Sequence, residues 1–178
     1  IDLEIICVGD FVLDYYNLRG TQDVDAFYQE GAKIRSIIEK VGDDFDVNEP
    51  DELWLNNNVA NMNKLPPLSI CEKAYSYSNL TVFVTPLSYI LGMKLDSGRD
   101  RDRQDAGKII KLVKISSIKD IINKLKEYGF QPDLSLILEV FEITYGIEWL
   151  AEYMSDHYEE FKYYLENTIK TKNFCTFP

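Results

Sequence analysis

The chain has 178 residues, of which 46% are hydrophobic, and it carries a formal net charge of −11. This composition is typical of one domain, or of a small core with a modest appendage, and it excludes an intrinsically disordered chain. The negative charge argues against a protein that coats nucleic acid by electrostatic attraction. No apolar run reaches the roughly 18 residues of a membrane span, and no signal peptide opens the chain. The chain begins with Ile1 rather than Met, which leaves open whether an N-terminal segment is missing.

The cysteines are three in number and widely spaced, at Cys7, Cys71 and Cys175. An odd count without a Cys-x-x-Cys pair indicates neither a disulfide framework nor a zinc site. Cys7 lies in an apolar run and is expected to be a small buried side chain. We therefore expect the protein in a reducing compartment, the cytoplasm.

The first half of the chain is expected to form a small sheet with helices between its strands. Residues 3–8 are rich in β-forming side chains and end at Gly9, a pattern typical of a buried strand followed by a turn. Further strands are predicted at residues 21–28, 68–75 and 80–84. Helices are predicted at residues 11–16 and 31–41, and from Pro86 to about Lys94, with the proline at the first helical position. Residues 42–67 predict a long irregular connection.

The second half of the chain is expected to be helical. Helices are predicted at residues 103–113, after Ser117, and at residues 133–145 and 147–165. Ser117 is the predicted N-cap of its helix, with Asp120 three residues later. The predicted class is therefore α+β, a small mixed sheet followed by a helical half. We place the core at residues 1–95 and a helical region packed on it at residues 96–178.

Charge is distributed unevenly along the chain. Residues 1–60 contain fourteen acidic and four basic residues, whereas residues 94–126 contain ten basic and five acidic residues. The acidic part is suited to cations and the basic part to phosphates, although two ordinary solvated faces would give the same pattern.

The motif with the clearest chemistry is Asp23-Val24-Asp25, inside the predicted strand at residues 21–28. Side chains alternate along a strand, so Asp23 and Asp25 are expected to point to one face, roughly 7 Å apart. Such carboxylates repel each other unless a cation lies between them. Mg²⁺ prefers carboxylate oxygens and keeps waters or substrate phosphates as its other ligands, so the pair suits displacement at a phosphate. A polar strand end explains the bare motif equally well, and the surrounding sequence has to decide.

The surrounding sequence favours the functional interpretation. A strand ending at Val8-Gly9 and followed by a short helix would leave backbone N–H groups free for a triphosphate. The order of strand, glycine turn, short helix and Arg19-Gly-Thr-Gln-Asp-Val-Asp25 resembles the DNA polymerase β-like nucleotidyltransferase superfamily. The second half of the chain adds two matching segments, Leu87–Leu95, which ends in Met-Lys-Leu, and Arg101-Asp-Arg-Gln-Asp105. With these segments, the chain resembles the bacterial branch that contains the AbiEii-type toxins. The resemblance covers about residues 3–113.

This resemblance implies specific roles for matching residues. Asp23 and Asp25 would bind the metal, Mg²⁺ or Mn²⁺, and Gly9 with the following helix start, including Asp10, would contact the NTP phosphates. Lys94 would neutralise triphosphate charge, and Asp105, with Asp102, would complete the site. Each has a plainer alternative: Lys94 as a surface residue, and Asp102 as an N-cap with Asp105 as its partner. Arg19 and Thr21 would shape the strand entry, with Arg19 also able to reach a phosphate.

Two features depart from the family pattern. The family has a Gly-Gly or Gly-Ser pair in the turn, whereas this chain has Gly9-Asp10. A carboxylate there could cap the following helix, but it would also stand where a phosphate should bind. The second departure is the missing third carboxylate, for which Glu72 in the predicted third strand is the best-placed candidate.

The leading hypothesis is an enzyme that transfers an NMP group from an NTP to a hydroxyl. The acceptor would be an RNA end, above all tRNA, a protein or a small molecule, and the resemblance suggests the toxin of a toxin–antitoxin pair with an antitoxin partner. The alternatives are a decayed module that only binds nucleotide or a protein partner, and a sugar-nucleotide glycosyltransferase that also uses Asp-x-Asp. The last fits poorly, because only about twenty residues precede the motif here.

Overall fold

The computed structural model describes residues 2–50, 52–61, 65–131 and 133–163. Within these ranges the strands are β1 Leu3–Cys7, β2 Val24–Tyr28, β3 Leu55–Asn56, β4 Glu72–Ser76 and β5 Leu80–Val84. The helices are α1 Gly9–Tyr15, α2 Ala32–Phe45, α3 Leu87–Ser97, α4 Asp100–Val113, α5 Ile118–Glu127, α6 Leu134–Tyr145 and α7 Ile147–Asp156. In these ranges, no helix combines the length and the apolar character needed to cross a membrane.

The described strands form one mixed sheet in the order β3-β2-β1-β5-β4. Strand β1 runs antiparallel to β2 and parallel to β5, and β2 runs parallel to the short β3. Strand β4 is antiparallel to β5 and forms the edge of the sheet opposite β3. The predicted α+β class, with strands first and helices after them, is confirmed.

The two faces of the sheet bury different side chains because residues alternate along each strand. Ile5 and Cys7 of β1 pack with Ala26 of β2 and Ile38 of α2 on one face. The other face joins a larger apolar cluster that contains Phe27 of β2 together with side chains from α3 to α7. The helical half therefore packs on the sheet through one continuous core, and the boundary proposed at residue 95 stays a prediction.

Two helices of the second half, α5 and α6, begin with a side-chain N-cap. The Ser117 hydroxyl accepts a hydrogen bond from the Asp120 backbone N–H, so the predicted N-cap is confirmed. Asp133 caps α6 in the same way, accepting from the Ser135 backbone N–H. Helix α6 ends at Gly146, where φ is +93°.

Several predicted boundaries differ from the structure. Helix α2 continues past Gly42 to Phe45 instead of ending at residue 41. A Cβ atom at Gly42 would lie 2.0 Å from Asn48 Oδ1, so this helical position is suited to glycine. The strand predicted to start at residue 68 begins at Glu72, after a short 3₁₀ turn that follows Pro67. Helix α4 starts at Asp100 rather than at residue 103, with acidic residues in its first turn, where the helix dipole favours them. The last helix, predicted at residues 147–165, is interrupted: α7 ends at Asp156, His157 leaves the helical conformation, and helix resumes at residues 158–163. Residues 164 and 165 lie outside the described residues.

Candidate functional site

The two carboxylates of the Asp-x-Asp motif line one cleft. Asp25 is the second residue of β2, and Asp23 lies one residue before the strand begins. Both border a cleft of about 580 Å³ that also includes Gly9 and the first turn of α4. The intervening Val24 and the following Ala26 instead pack against the α2 side of the sheet. Asp25 faces this space through the alternation of side chains along β2, whereas Asp23, predicted inside the strand, reaches it from the bend just before β2.

Gly9 allows the close approach of the backbone to Asp25. Its φ is +61°, which favours glycine, and a Cβ atom at this position would lie 2.8 Å from Asp25 Oδ2. The Val8 backbone N–H donates to the Asp25 carbonyl at 2.9 Å, which fixes the turn to β2. A side chain at residue 9 would displace the carboxylate that faces the cleft.

The environment of Asp25 disfavours its negative charge. Burial raises the pKa of the Asp25 carboxyl, and the charges of Asp23, Asp10 and Glu52 raise it further. The Asn56 amide opposes this and lowers the pKa. Asp23 is held in place by the Thr21 hydroxyl, which donates to Asp23 Oδ1 at 2.5 Å. A cation between Asp23 and Asp25 would remove the repulsion that raises the Asp25 pKa.

The carboxylates of Asp23 and Asp25 could supply part of the ligand set of a hard divalent cation. Carboxylate oxygens are the ligands of Mg²⁺ and Mn²⁺, which commonly complete their shells with water and substrate phosphate. Among the described residues, no group of three or more His, Cys, Asp or Glu side chains is arranged to hold a metal ion. The protein side of such a site would therefore consist of Asp23 and Asp25, with most positions left to other ligands.

The other predicted site residues form a charge network at one wall of the cleft. We define the charge network as Asp10, Arg19, Lys94, Asp102 and Asp105. The Lys94 ammonium donates to Asp10 and to Asp102 at 2.7 Å each, and it lies 3.6 Å from Asp105. Arg19 donates to Asp10 at 2.5 Å and to Asp105 at 2.7 Å. The network therefore ties α1 and the loop after it to α3 and α4.

Most of the charge network is shielded from solvent. Lys94 is 7% exposed, Asp102 2% and Asp105 1%. Burial lowers the pKa of Lys94, but the hydrogen bonds to Asp10 and Asp102 outweigh it, so the net pKa is raised. Burial raises the pKa of Asp102, but the hydrogen bonds from Lys94 and Ser97 outweigh it and the net pKa is lowered. Lys94 and Asp102 are therefore both charged at neutral pH, each compensated by its partners.

Asp10 takes part in the charge network instead of standing free at the turn. Its carboxylate accepts hydrogen bonds from Arg19 and Lys94, and Arg101 approaches it at 3.3 Å. The negative charge that departs from the family pattern is thus neutralised by neighbouring cations.

The acidic residues outside the motif are placed differently from expectation. Glu72 starts β4, at the edge of the sheet, and β1 and β5 separate it from β2. Glu52 instead lines the cleft and accepts a hydrogen bond from the Asn58 side chain at 2.8 Å. Glu52 belongs to the stretch interpreted as an irregular polar connection, so periodicity gave no signal for it.

A second cavity of about 570 Å³ adjoins the cleft. The two spaces share the side chains of Asp10, Asp23, Glu52 and Arg101. A larger cavity of about 1030 Å³ lies elsewhere, bordered by the end of β2 and residues 65–68. The cleft of Asp25 is the candidate site, because the paired carboxylates line it and the charge network stands at its wall.

A comparison with protein families shows which family the chain belongs to. The family described as "Nucleotidyltransferase of unknown function (DUF6036)" matches residues 2–146. The chain belongs to this nucleotidyltransferase family. The matched segment runs from β1 to the end of α6 and contains both motif carboxylates and the whole charge network. No curated protein and no solved structure matches the chain. The match is broader than the AbiEii-like branch, which stays a prediction.

Proposed function

We propose that this protein transfers an NMP group from an NTP to a hydroxyl acceptor in the cleft beside β2. The observation that carries the proposal is the placement of Asp23 and Asp25 on one cleft, against Gly9. The raised pKa of Asp25 supports it, because burial and like charges disfavour the free anion. The family affiliation supports the reaction class.

Asp23 and Asp25 are the residues that would hold Mg²⁺ or Mn²⁺. A bound divalent cation would neutralise phosphate charge and polarise the phosphoryl oxygens. Gly9 leaves the space in which the Asp25 carboxylate stands, and Thr21 orients Asp23. In the transfer, the acceptor oxygen bonds to the α-phosphorus, the bond to pyrophosphate breaks, and the hydroxyl proton leaves to solvent.

Lys94 and Asp105 have positioning roles in this proposal. Their contacts with Asp10, Asp102 and Arg19 hold α3 and α4 beside the carboxylates, and their burial leaves little of either side chain open to a ligand. Asp10 and Arg19 belong to the same wall, next to the space for the phosphates. Rigid placement of this kind is what aligns reacting groups.

The acceptor in this proposal is an RNA end, with tRNA the first choice, and a protein or small-molecule hydroxyl the alternatives. The resemblance of residues 3–113 to the AbiEii-type toxins supports RNA and supports an antitoxin as protein partner. Seven of the ten basic residues of the 94–126 segment, which begins at the cleft, are exposed, and they agree with a polyanionic acceptor.

A transfer assay tests the proposal. The protein is incubated with each labelled NTP in turn, Mg²⁺ and total RNA, and label transfer is compared for wild type, Asp23→Asn and Asp25→Asn. Asp156→Asn, an exposed change at the end of α7, is the matched control. We expect transfer by wild type and the control, with losses of at least a hundredfold in both motif variants. Absence of transfer to RNA, to added proteins and to small hydroxyl compounds would reject an active transferase.

A second candidate is a nucleotide-binding module without turnover. The observation that favours it is the Asp10 carboxylate, which is bonded to Arg19 and Lys94 at the wall where phosphates are expected. Calorimetry with each NTP and Mg²⁺ separates the two candidates. Binding without transfer favours the module, and transfer gained by Asp10→Gly would identify a decayed enzyme.

A further inference from the structure

We propose that Arg101 is the side chain that binds the nucleotide phosphates, an inference that rests on the proposed function. In the described part of the chain, the cationic side chains that line the cleft are Lys94, Arg99 and Arg101. They differ in how firmly buried carboxylates hold them. That difference decides which one can turn to a ligand.

Lys94 and Arg99 are committed to buried carboxylates. The Lys94 side chain is only 8% exposed and bridges Asp10 and Asp102. Arg99 is open to solvent, but its Nε donates at 2.7 Å to Asp102, whose side chain is 3% exposed. Removing either cation would take a partner from a buried anion, which is costly. Neither is therefore readily released to a phosphate.

Arg101 is held by one weak contact. Its side chain is 69% exposed, and its Nη2 lies 3.3 Å from Asp10 Oδ2. Asp10 keeps shorter contacts with Arg19 at 2.5 Å and Lys94 at 2.7 Å when Arg101 moves away. An exposed pair of this kind contributes little to stability, so releasing Arg101 to a ligand costs little.

The position of Arg101 in the cleft also suits contact with a nucleotide phosphate. It lines both the cleft of Asp25 and the adjoining cavity, at their junction beside Asp23. Its contact with Asp10 shows that the guanidinium reaches an anion at this junction. The guanidinium fork matches the geometry of phosphate oxygens better than an ammonium does. Arg101 can therefore exchange the Asp10 carboxylate for a phosphate of the NTP.

Calorimetric titration of the full chain with ATP, GTP, CTP and UTP, each with Mg²⁺, tests the inference. Arg101→Ala should weaken the NTP affinity about ten- to a hundredfold, the usual range for one charged hydrogen-bonding group. Arg101→Lys should retain part of the affinity. Arg35→Ala is the matched control, because Arg35 is 65% exposed and has a comparable loose pair with Glu30 at 3.5 Å.

The outcomes separate this inference from the proposed function. Weaker NTP binding by Arg101→Ala, with thermal unfolding and nucleoside binding like those of Arg35→Ala, supports the phosphate contact. Wild-type affinity in Arg101→Ala overturns the inference and leaves the proposed function intact. An equal loss for nucleoside and NTP overturns it too, because the contact would then not be to phosphate. A wild type that binds none of the four NTPs overturns both proposals.

Discussion

Replacing Gly9 with alanine tests the close approach on which the cleft depends. Gly9 has φ +61°, and the new Cβ would lie 2.8 Å from Asp25 Oδ2. The left-handed backbone alone costs an L-residue about 1–2 kcal/mol. Turning Asp25 off its rotamer to relieve the contact adds roughly 1 kcal/mol. We therefore expect Gly9→Ala to lower the free energy of unfolding by about 2–3 kcal/mol, and transfer activity to fall with it.

Gly98 provides a matched control for this measurement. Its φ is +65°, and a Cβ there would meet no described atom within 4 Å. Gly98→Ala should therefore show the backbone cost of about 1–2 kcal/mol without the contact. Urea unfolding of both variants, in wild-type and Asp25→Ala backgrounds, isolates the difference. If Gly9→Ala costs no more than Gly98→Ala, or the excess persists without the Asp25 carboxylate, the argument from close approach is wrong.

Three further predictions concern charge. Asp25→Asn should raise the midpoint of thermal unfolding at neutral pH in EDTA. Burial and the Asp23 charge raise the pKa of Asp25, so its ionisation destabilises the folded state. The gain should disappear as the pH falls below that pKa, because the wild-type carboxyl is then protonated. Lys94→Met should lower the free energy of unfolding in urea by about 3–5 kcal/mol, because it leaves buried carboxylates without their cation; the exposed Arg35→Ala should cost at most about 1 kcal/mol. Asp102→Asn should make the free energy of unfolding fall less steeply as the pH is lowered. Burial raises the pKa of Asp102, but the hydrogen bonds from Lys94 and Ser97 outweigh it, so the net pKa is lowered. In the wild type, the stability that these bonds supply is lost as the pH falls and the carboxylate is protonated.

Each of these has an outcome that contradicts it. If Asp25→Asn unfolds at a lower temperature than the wild type in EDTA at neutral pH, the folded state stabilises the Asp25 charge instead of disfavouring it. A Lys94→Met variant no less stable than Arg35→Ala would show that the charge network adds nothing to the fold. If Asp102→Asn loses stability in acid as steeply as the wild type, the acid sensitivity arises elsewhere in the chain.

Local signals predicted the elements that depend on neighbouring residues. The strand period placed Asp25 on the cleft side, because side chains alternate along β2 whatever packs around them. Asp23 lines the same cleft, but from the bend before the strand and not from within it as predicted. The Ser117 cap followed from a spacing of three residues, within one turn of helix. Local signals failed at Gly42, which lies inside α2, and in the connection that contains Glu52, where no regular period marks the residues that line the cleft.

The sequence by itself determined the α+β class, the Ser117 cap of α5 and the cleft-facing side of Asp25, since these follow from local sequence patterns and backbone geometry. Only the tertiary structure decided how the charges are used. Lys94 meets Asp10 across 84 positions of sequence, and Arg19 meets Asp105 across 86. No periodicity encodes such contacts, because they arise from the packing of α1 and its following loop against α3 and α4. That packing buries Lys94 among carboxylates and leaves Arg101 exposed at the cleft.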